Sequence, residues 1–387
     1  MSVDRVLRAL ARLLPSGARG RYLEEWRADA AGAAELGLRR RDVVLGAAVV
    51  TLTLDRDVPD YTGEPRGSRP RRLARRGIAL TGASGVVLLG LLLTGGGIVP
   101  EGPGATPAVL AALESAGWLV LRLAIALALV GAVMTAIAAF TARTALARAA
   151  LFATLLAPVF LVMPLAHPLF SDGLAPLVLA AVSLLVGIFG LAAGLAVVVG
   201  SPPLALQPRR ATRRQRLPVA VGGAVAMLAI VVVGGLDTLV WNPLAKAPGL
   251  GLGEVYRRMA SDDGFFLGTA VVAVTVWAVF WLVPALVLVV IAARRGSTGL
   301  TPRRIVVIVL ALVGGAVFFR FFAGFSIGMS IADTFMTSGG DSSVISAVLP
   351  IVGQLALAGA LVALGWAPRV SREADVTGRR PRGALAA

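Results

Sequence analysis

The stretch "IVVIVLALVGGAVFFRFFAGFSIGMSI", residues 305–331, decides the architecture of the chain. A helix needs about 20 apolar residues to cross a bilayer, and this stretch is longer than that. Its only charged residue is Arg320. The composition agrees, since 57% of the 387 residues are hydrophobic and only 15% are charged, whereas soluble domains have roughly 45–50% and about 25%. The sequence therefore predicts an all-α, polytopic membrane protein.

Eight stretches have the length and hydropathy of a membrane-spanning helix. They are residues 77–99, 117–140, 147–167, 174–199, 217–241, 265–293, 305–331 and 344–366. We expect residues 77–367 to form one transmembrane domain built from these helices.

The arginines set the expected orientation, because basic residues accumulate in cytoplasmic loops. They precede the first predicted span, follow the last, and fill the loops after the second, fourth and sixth spans. The alternate loops contain only Lys246, Arg257 and Arg258 as basic residues. Both termini are therefore expected in the cytoplasm. Arginine in place of lysine, beside abundant Ala, Gly, Val and Leu, is typical of GC-rich coding and indicates a bacterial inner membrane.

The net charge of +16 predicts that the chain contacts an anionic partner. Because the basic residues lie at the ends of apolar runs, we expect this partner to be lipid headgroups at the inner basic loops, and not nucleic acid. The basic tail, residues 368–387, is expected to be disordered.

Residues 1–55 are predicted to form a small cytoplasmic head of helices. Val3, Leu7 and Leu14 follow helical spacing, and a second helix is expected after Pro15-Ser16-Gly17, with Gly37 placed to end it. The third helix is expected from Asp42 to Leu54, with re-entrant membrane insertion as the alternative. For the first helix, a solvated basic face and a position on anionic lipid both stay open. Residues 56–76 are predicted to be a basic linker.

One segment of the head carries a family resemblance. "RLLPSGARGRYLEEW", residues 12–26, has a Leu-Pro turn, basic residues and then Tyr-x-Glu-Glu. It resembles the amino-terminal prefix of some bacterial permease-like membrane proteins, many of them uncharacterised actinobacterial ones. The resemblance covers only these residues, and it implies an accessory head on a membrane body without implying any chemistry.

A second pattern suggests internal duplication. "PRRLARR" at 70–76 recurs as "PRRATRR" at 208–214, an offset of 208 − 70 = 138 residues, and the Gly pair at 96–97 matches the pair at 234–235 at the same offset. Two halves of four spans each would then be parallel repeats, as in some transporters. Chance is the other interpretation, since topology alone concentrates arginine in the inner loops.

Four polar side chains inside the predicted spans form the candidate intramembrane site: Arg122, Asp237, Arg320 and Gln354. At about 1.5 Å per residue, the three charged ones each lie roughly 6 Å inside the outer edge of the hydrocarbon, and Gln354 lies nearer the midplane. Ionisable groups at such depths are costly and commonly functional. Three interpretations of Arg320 stay open: it snorkels to the interface, it pairs with Asp237, or it binds a ligand.

Catalytic and cofactor chemistry find little support in the residues. The chain has no cysteine and a single histidine, His167, so thiolate and multi-histidine metal sites are excluded. It lacks a phosphate-binding glycine motif, and it offers no catalytic residue set for proteolysis. We therefore expect no cofactor, no metal and no enzymatic activity. The leading interpretation is a membrane-anchored regulatory or scaffold protein whose head binds a cytoplasmic protein; the alternative is a permease-like transporter or a membrane subunit of a transport complex.

The predicted topology can be tested with reporter fusions. Fusions after residues 143, 209, 295 and 372 should report a cytoplasmic location, because arginines flank each site. Fusions near residues 103, 172, 251 and 340 should report the opposite side. A reproducible inversion at any one of these sites would show that the spans have been miscounted.

Overall fold

The computed structural model describes residues 3–35, 37–54, 68–93, 105–142, 144–166, 174–199, 211–294, 300–338 and 340–366. These residues are helical apart from short connections, and no strand is found among them, which confirms the all-α prediction. Five of the described helices are long and apolar enough to cross a membrane, which supports a multi-pass membrane protein. The count of eight spans and the parallel repeat of two four-span halves go beyond this finding and stay predictions.

Thirteen helices and one π-helical turn are described. The head contains α1 (Val3–Leu13), α2 (Ser16–Gly32) and α3 (Arg40–Thr53). The first half of the membrane body contains α4 (Ser68–Leu93), α5 (Pro107–Thr141), α6 (Ala145–Ala166) and α7 (Leu174–Val199). The second half contains α8 (Arg213–Leu236), the π turn (Asp237–Trp241), α9 (Asn242–Lys246), α10 (Leu252–Asp262), α11 (Leu267–Ala293), α12 (Pro302–Phe335) and α13 (Val344–Gly365).

The five candidate spans are α5, the continuous helical segment from α8 to α9, α11, α12 and α13. α4, α6 and α7 lie where the other three spans are predicted. The predicted linker at 56–76 is too long, because α4 already begins at Ser68 and its first turns carry the arginines; arginine is a good helix former and extends the apolar helix inward. The predicted tail, the glycine pair at 96–97 and His167 lie outside the described residues.

The head residues pack around a core of their own. Leu7, Leu14, Trp26 and Ala47 are buried together, so each of the three helices contributes to it. Gly37 has a φ of +68°, and beside it the Leu38 N–H donates to the Ala33 carbonyl at 2.8 Å. This left-handed turn needs glycine and lets α3 fold back onto α1 and α2.

Small residues allow the closest helix contacts of the first half. A Cβ on Gly77 of α4 would lie 2.3 Å from the Thr135 hydroxyl oxygen and 2.7 Å from the Gly131 carbonyl oxygen, both on α5. A Cβ on Gly190 of α7 would lie 2.5 Å from the Ala153 carbonyl oxygen on α6. Backbones approach in this way where lipid provides no hydrophobic driving force between helices.

The second half is arranged around α12. This helix packs against α8, α11 and α13. α13 also packs against α4, so α13 joins the two halves. Met227, Trp277 and Ala316 belong to the shared core. The Trp277 indole N–H donates to the Ala316 carbonyl oxygen at 2.9 Å, which gives its buried polar atom a partner.

Arginines at one end of the bundle satisfy the carboxyl ends of helices. Arg303 donates to the Ala363 carbonyl at 2.7 Å and to the Leu364 carbonyl at 2.9 Å, and Arg75 donates to the Gly365 carbonyl at 3.1 Å. Arg216 and Arg148 donate in a similar way to the carbonyls of Arg294 and Ala142, the residues directly after α11 and α5. The last carbonyls of a helix have no intrahelical partner and carry partial negative charge. These arginines therefore fasten neighbouring helices in addition to any effect on orientation.

The α4–α5 contact predicts a difference between two glycines of α4. Gly77→Ala should lower the free energy of unfolding by about 1–3 kcal/mol, because the new methyl group meets backbone atoms of α5. Gly85→Ala is the matched control, since a Cβ there meets nothing within 4 Å, and it should be neutral or slightly stabilising. Thermal unfolding in mild detergent measures both. Equal melting temperatures for the two variants would show that α4 and α5 do not cross at Gly77.

Candidate functional site

Asp237 is the centre of the only buried ion-pair network that the described residues show within the membrane body. Its side chain is 0% exposed. One carboxylate oxygen accepts from Arg320 Nη1 at 2.6 Å and from the Ser346 hydroxyl at 2.6 Å, and the other accepts from the Ser343 hydroxyl. We call Asp237, Arg320, Asp341, Ser343 and Ser346 the Asp237 cluster. It joins the end of α8 to α12 and to the beginning of α13.

Arg320 is held between two carboxylates. Its Nη1 bonds to Asp237, and its Nη2 donates to Asp341 Oδ2 at 2.6 Å. The side chain is buried, and Gly234 of α8 makes room for it, because a Cβ there would lie 3.3 Å from the Arg320 Cδ and 2.9 Å from the Trp277 ring. A planar guanidinium can serve two carboxylates at once, which a lysine cannot do equally well.

The π turn places Asp237 and anchors the neighbouring segment. Its wider winding begins at Asp237 and runs to Trp241. Within it, the Leu239 carbonyl accepts the Tyr256 hydroxyl of α10 at 2.7 Å, and burial raises the pKa of Tyr256 to about 12. π turns inside α-helices are frequent at functional sites. Here the turn connects α8 to the α9–α10 segment.

The connection between α12 and α13 completes the cluster. α12 ends at Phe335, and the next residue, Met336, has a φ of 51°; the chain then returns over the end of α8. The Ser342 N–H donates to the Asn242 side-chain oxygen at 2.7 Å, and the Ser343 hydroxyl caps α13 by accepting the Ser346 N–H at 2.9 Å. These bonds bring the two serine hydroxyls to Asp237.

Asp341 is the part of the cluster nearest to solvent, with a side chain that is 35% exposed. Burial raises the pKa of Asp341; the Arg320 charge opposes this rise, and the Asp237 charge adds to it. Lys246 supplies a second nearby cation that also favours the ionised form, and its Nζ donates to the Ser338 hydroxyl at 2.7 Å. The negative charges of Asp237 and Asp341 are thus matched by the positive charges of Arg320 and Lys246.

The predicted site residues divide into two that meet and two that do not. Asp237 and Arg320 are in direct contact. Arg122 lies exposed on α5, which packs against α4 and α6, so its inclusion in the cluster is wrong. Gln354 is eight positions beyond Ser346 on α13, about 12 Å along the helix axis, and its amide lies against Gly90 of α4. The inclusion of Gln354 is therefore wrong as well, because its side chain faces α4 and not the Asp237 cluster.

The phenylalanines around Arg320 are exposed on the surface of the bundle. Phe318, Phe319, Phe321, Phe322 and Phe325 all show about half or more of their surface, and their rings contact one another edge-on or tilted. Arg320 points the opposite way, toward α8 and α13. One helix therefore presents aromatic rings to lipid and a guanidinium to the protein interior.

Sequence reasoning missed Asp341, Ser343, Ser346 and Lys246. A signal was available for the serines, because "SSVIS" directly precedes an apolar run and is typical of a helix N-cap. Asp341 and Lys246 carry no local signal of their own. Asp341 joins the cluster, and Lys246 comes near it, only because the π turn and the α12–α13 connection meet in space.

Comparison of the chain with protein-family models, with curated proteins and with solved structures finds no match. Function is therefore inferred from the residues of the chain itself. Among the described residues, no group of three or more His, Cys, Asp or Glu side chains could hold a metal ion. The carboxylates of the Asp237 cluster are occupied by Arg320 and by hydroxyl donors, so the arrangement is suited to holding helices together.

A double-mutant cycle tests the buried pair. Arg320→Leu leaves the Asp237 carboxylate with hydroxyl donors alone, and we expect it to cost about 3–5 kcal/mol of unfolding free energy. Combining it with Asp237→Asn should recover much of this loss, because the fully buried position then carries no charge, whereas Asp341 also loses Arg320 but is 35% exposed and can be hydrated. Thermal or denaturant unfolding in mild detergent gives the coupling energy.

Two further variants serve as controls for this cycle. Arg122→Leu removes an exposed arginine and should change stability little. Arg320→Lys should be clearly destabilising, whereas a snorkelling side chain would tolerate lysine. Additive effects in the cycle, with coupling below about 0.5 kcal/mol, together with a silent Arg320→Lys, would contradict the pair.

Proposed function

We propose that this chain is a non-enzymatic, membrane-anchored regulatory or scaffold protein whose working part is the head. In this proposal eight spans, with both termini in the cytoplasm of a bacterium, hold the head at the inner surface of the cell membrane. One observation carries the proposal: the head helices share a core of their own and leave a groove between α1 and α2. The Asp237 cluster supports it, because its groups are occupied with one another.

The groove has the character of a peptide-binding surface. It is open to solvent, has a volume of about 260 Å³ and is lined by Arg8, Ala11, Arg12, Arg19, Gly20 and Leu23. Its floor is apolar and its rim is basic. Arg8 pairs with Asp4 at 2.7 Å, and Arg19 donates to the Leu14 carbonyl at 2.8 Å, so both rim residues also have partners within the head. This volume is small for a cofactor but suits an apolar side chain flanked by carboxylates.

We therefore expect the partner to be a cytoplasmic protein that presents an apolar residue next to acidic ones. Electrostatic attraction to the arginines would speed its approach and select its charge. The apolar contact on the groove floor would determine how long it stays. Neither contribution requires the membrane body to change conformation.

Photo-crosslinking in living cells tests this role. A photoreactive amino acid at Arg12, within the full-length chain, should give a discrete adduct with one cytoplasmic protein. Gly20→Gln should abolish the adduct, because the new side chain fills the groove while its Cβ meets nothing within 4 Å. Gly32→Gln is the matched control, since Gly32 is also on α2, is equally free of close neighbours and does not line the groove.

The outcomes separate clearly. Loss of the adduct with Gly20→Gln and its retention with Gly32→Gln supports a head that recruits a protein through this groove. Equal adducts in all three backgrounds, or adducts with lipid alone, would contradict it.

A permease-like transporter, or a membrane subunit of a transport complex, is the second candidate. The π turn at Asp237 favours it, because irregular helix and ionisable groups inside a membrane commonly mark solute pathways. The parallel repeat predicted from the sequence would also favour a transporter. Deleting residues 1–55 distinguishes the two: a scaffold loses its cellular role while the body stays inserted, and a transporter keeps its activity.

A further inference from the structure

The α3 helix is apolar on two opposite faces. One face packs inward, where Ala47 is buried in the core of the head. The other face carries Leu45, Val49 and Leu52, which are 64%, 57% and 81% exposed. At 3.6 residues per turn these three fall within an arc of about 60°. They form a continuous apolar stripe, and such a stripe on so small a unit marks an interaction surface.

Basic residues flank this stripe. Arg39, Arg40 and Arg41 precede and begin α3 and are all exposed. The one carboxylate of the helix, Asp42, is engaged locally, because it accepts the Arg39 N–H at 3.0 Å and lies 3.8 Å from the Arg41 guanidinium. An apolar stripe beside clustered arginines is the pattern of a helix that lies in a membrane interface.

The other helices of the head are less suited to lipid. The apolar face of α1 is used in the core, since Leu7, Ala11 and Leu14 are all buried. α2 carries exposed carboxylates at Glu24, Glu25 and Asp29, which an anionic surface would repel. The charge distribution therefore favours α3 as the face turned to the membrane.

The covalent connection between α3 and α4 favours lipid, over a separate protein, as the partner that contacts the apolar stripe. α3 ends at Thr53 and α4 begins at Ser68, so 14 residues, 54–67, join them. Such a segment spans at most about 50 Å when fully extended. The membrane next to α4 is thus always within reach, at a high effective concentration.

We propose that α3 lies on the anionic surface of the membrane that the chain spans, with Leu45, Val49 and Leu52 inserted among the lipids and Arg39 to Arg41 at the headgroups. This placement shares the cytoplasmic side of the head with the proposed function, but it requires no protein partner. The α1–α2 groove contains no residue of α3, so lipid at α3 and a soluble protein in the groove would contact different residues.

Site-directed fluorescence on the full-length chain tests this proposal. The chain contains no cysteine, so Leu45→Cys and Val49→Cys can each be labelled at a single site with an environment-sensitive dye. Glu25→Cys on α2 is the matched control. The labelled proteins are reconstituted into vesicles of phosphatidylcholine, with or without phosphatidylglycerol, and with a small fraction of nitroxide-labelled lipid as quencher.

Labels at positions 45 and 49 should show blue-shifted emission and strong quenching by the nitroxide lipid when phosphatidylglycerol is present. The effect should weaken severalfold in phosphatidylcholine alone, in high salt, or when Arg39, Arg40 and Arg41 are replaced by glutamine. The label at position 25 should stay water-exposed in every vesicle. Quenching from both leaflets makes the result independent of the orientation of the reconstituted protein.

Three results would overturn the proposal. Labels at 45 and 49 that behave like the label at 25 would show that the stripe does not reach lipid. Equal signals with and without phosphatidylglycerol would remove the anionic selectivity. A blue shift that depends on protein density and not on lipid would assign the stripe to a second copy of the chain. Each result is independent of the crosslink at Arg12, so this proposal and the protein-binding role can fail separately.

Discussion

The constraint on which the second half of the membrane body depends is the burial of the Asp237 carboxylate. A charged group without exposed surface must find its donors within the protein, because water cannot supply them. Asp237 obtains them from Arg320 of α12 and from Ser343 and Ser346 of α13. Three helices are therefore fixed at one point to within the tolerance of a hydrogen bond. Removing Arg320 leaves the buried carboxylate without a counter-charge, which is strongly destabilising.

Several neighbouring residues follow from this requirement. Gly234 leaves space for the stem of Arg320, and Gly324 leaves space for Thr238, whose methyl carbon would lie 3.0 Å from a Cβ there. The Thr238 hydroxyl donates to the Gly234 carbonyl at 2.9 Å, within the stretch where α8 changes to the π turn. Met336 and Asn242 then shape and hold the connection that carries the two serines. The glycines and the irregular turns are thus explained by the same buried charge.

What the sequence could predict follows from how local each signal is. Helices, apolar spans and the turn at Gly37 are encoded within a few residues, so composition and spacing are sufficient for them. The depth of a residue in the membrane follows from its position along the helix, so the sequence also predicted that Asp237 and Arg320 lie at the same depth. Depth alone cannot say which way a side chain points around its helix, and for this reason Arg122 and Gln354 were grouped with them wrongly. Asp341 and Lys246 required knowledge of which loops meet, which no short segment contains.

The two ends of the membrane body neutralise charge in different ways. In the part of the body that the structure describes, every carboxylate lies at or toward the end opposite the arginine-capped helix termini. At the carboxylate end, Arg320 pairs with Asp237 and Asp341, and Arg258 pairs with Glu254. At the arginine end, Arg75 and Arg303 bind backbone carbonyls, which offset their charge only partly. Under the proposed lipid contact, the remaining positive charge would attract anionic lipid to the surface at which α4 begins. The same lipid would favour the arginines that flank the stripe of α3, so the charge asymmetry of the body would add to the proposed placement of the head.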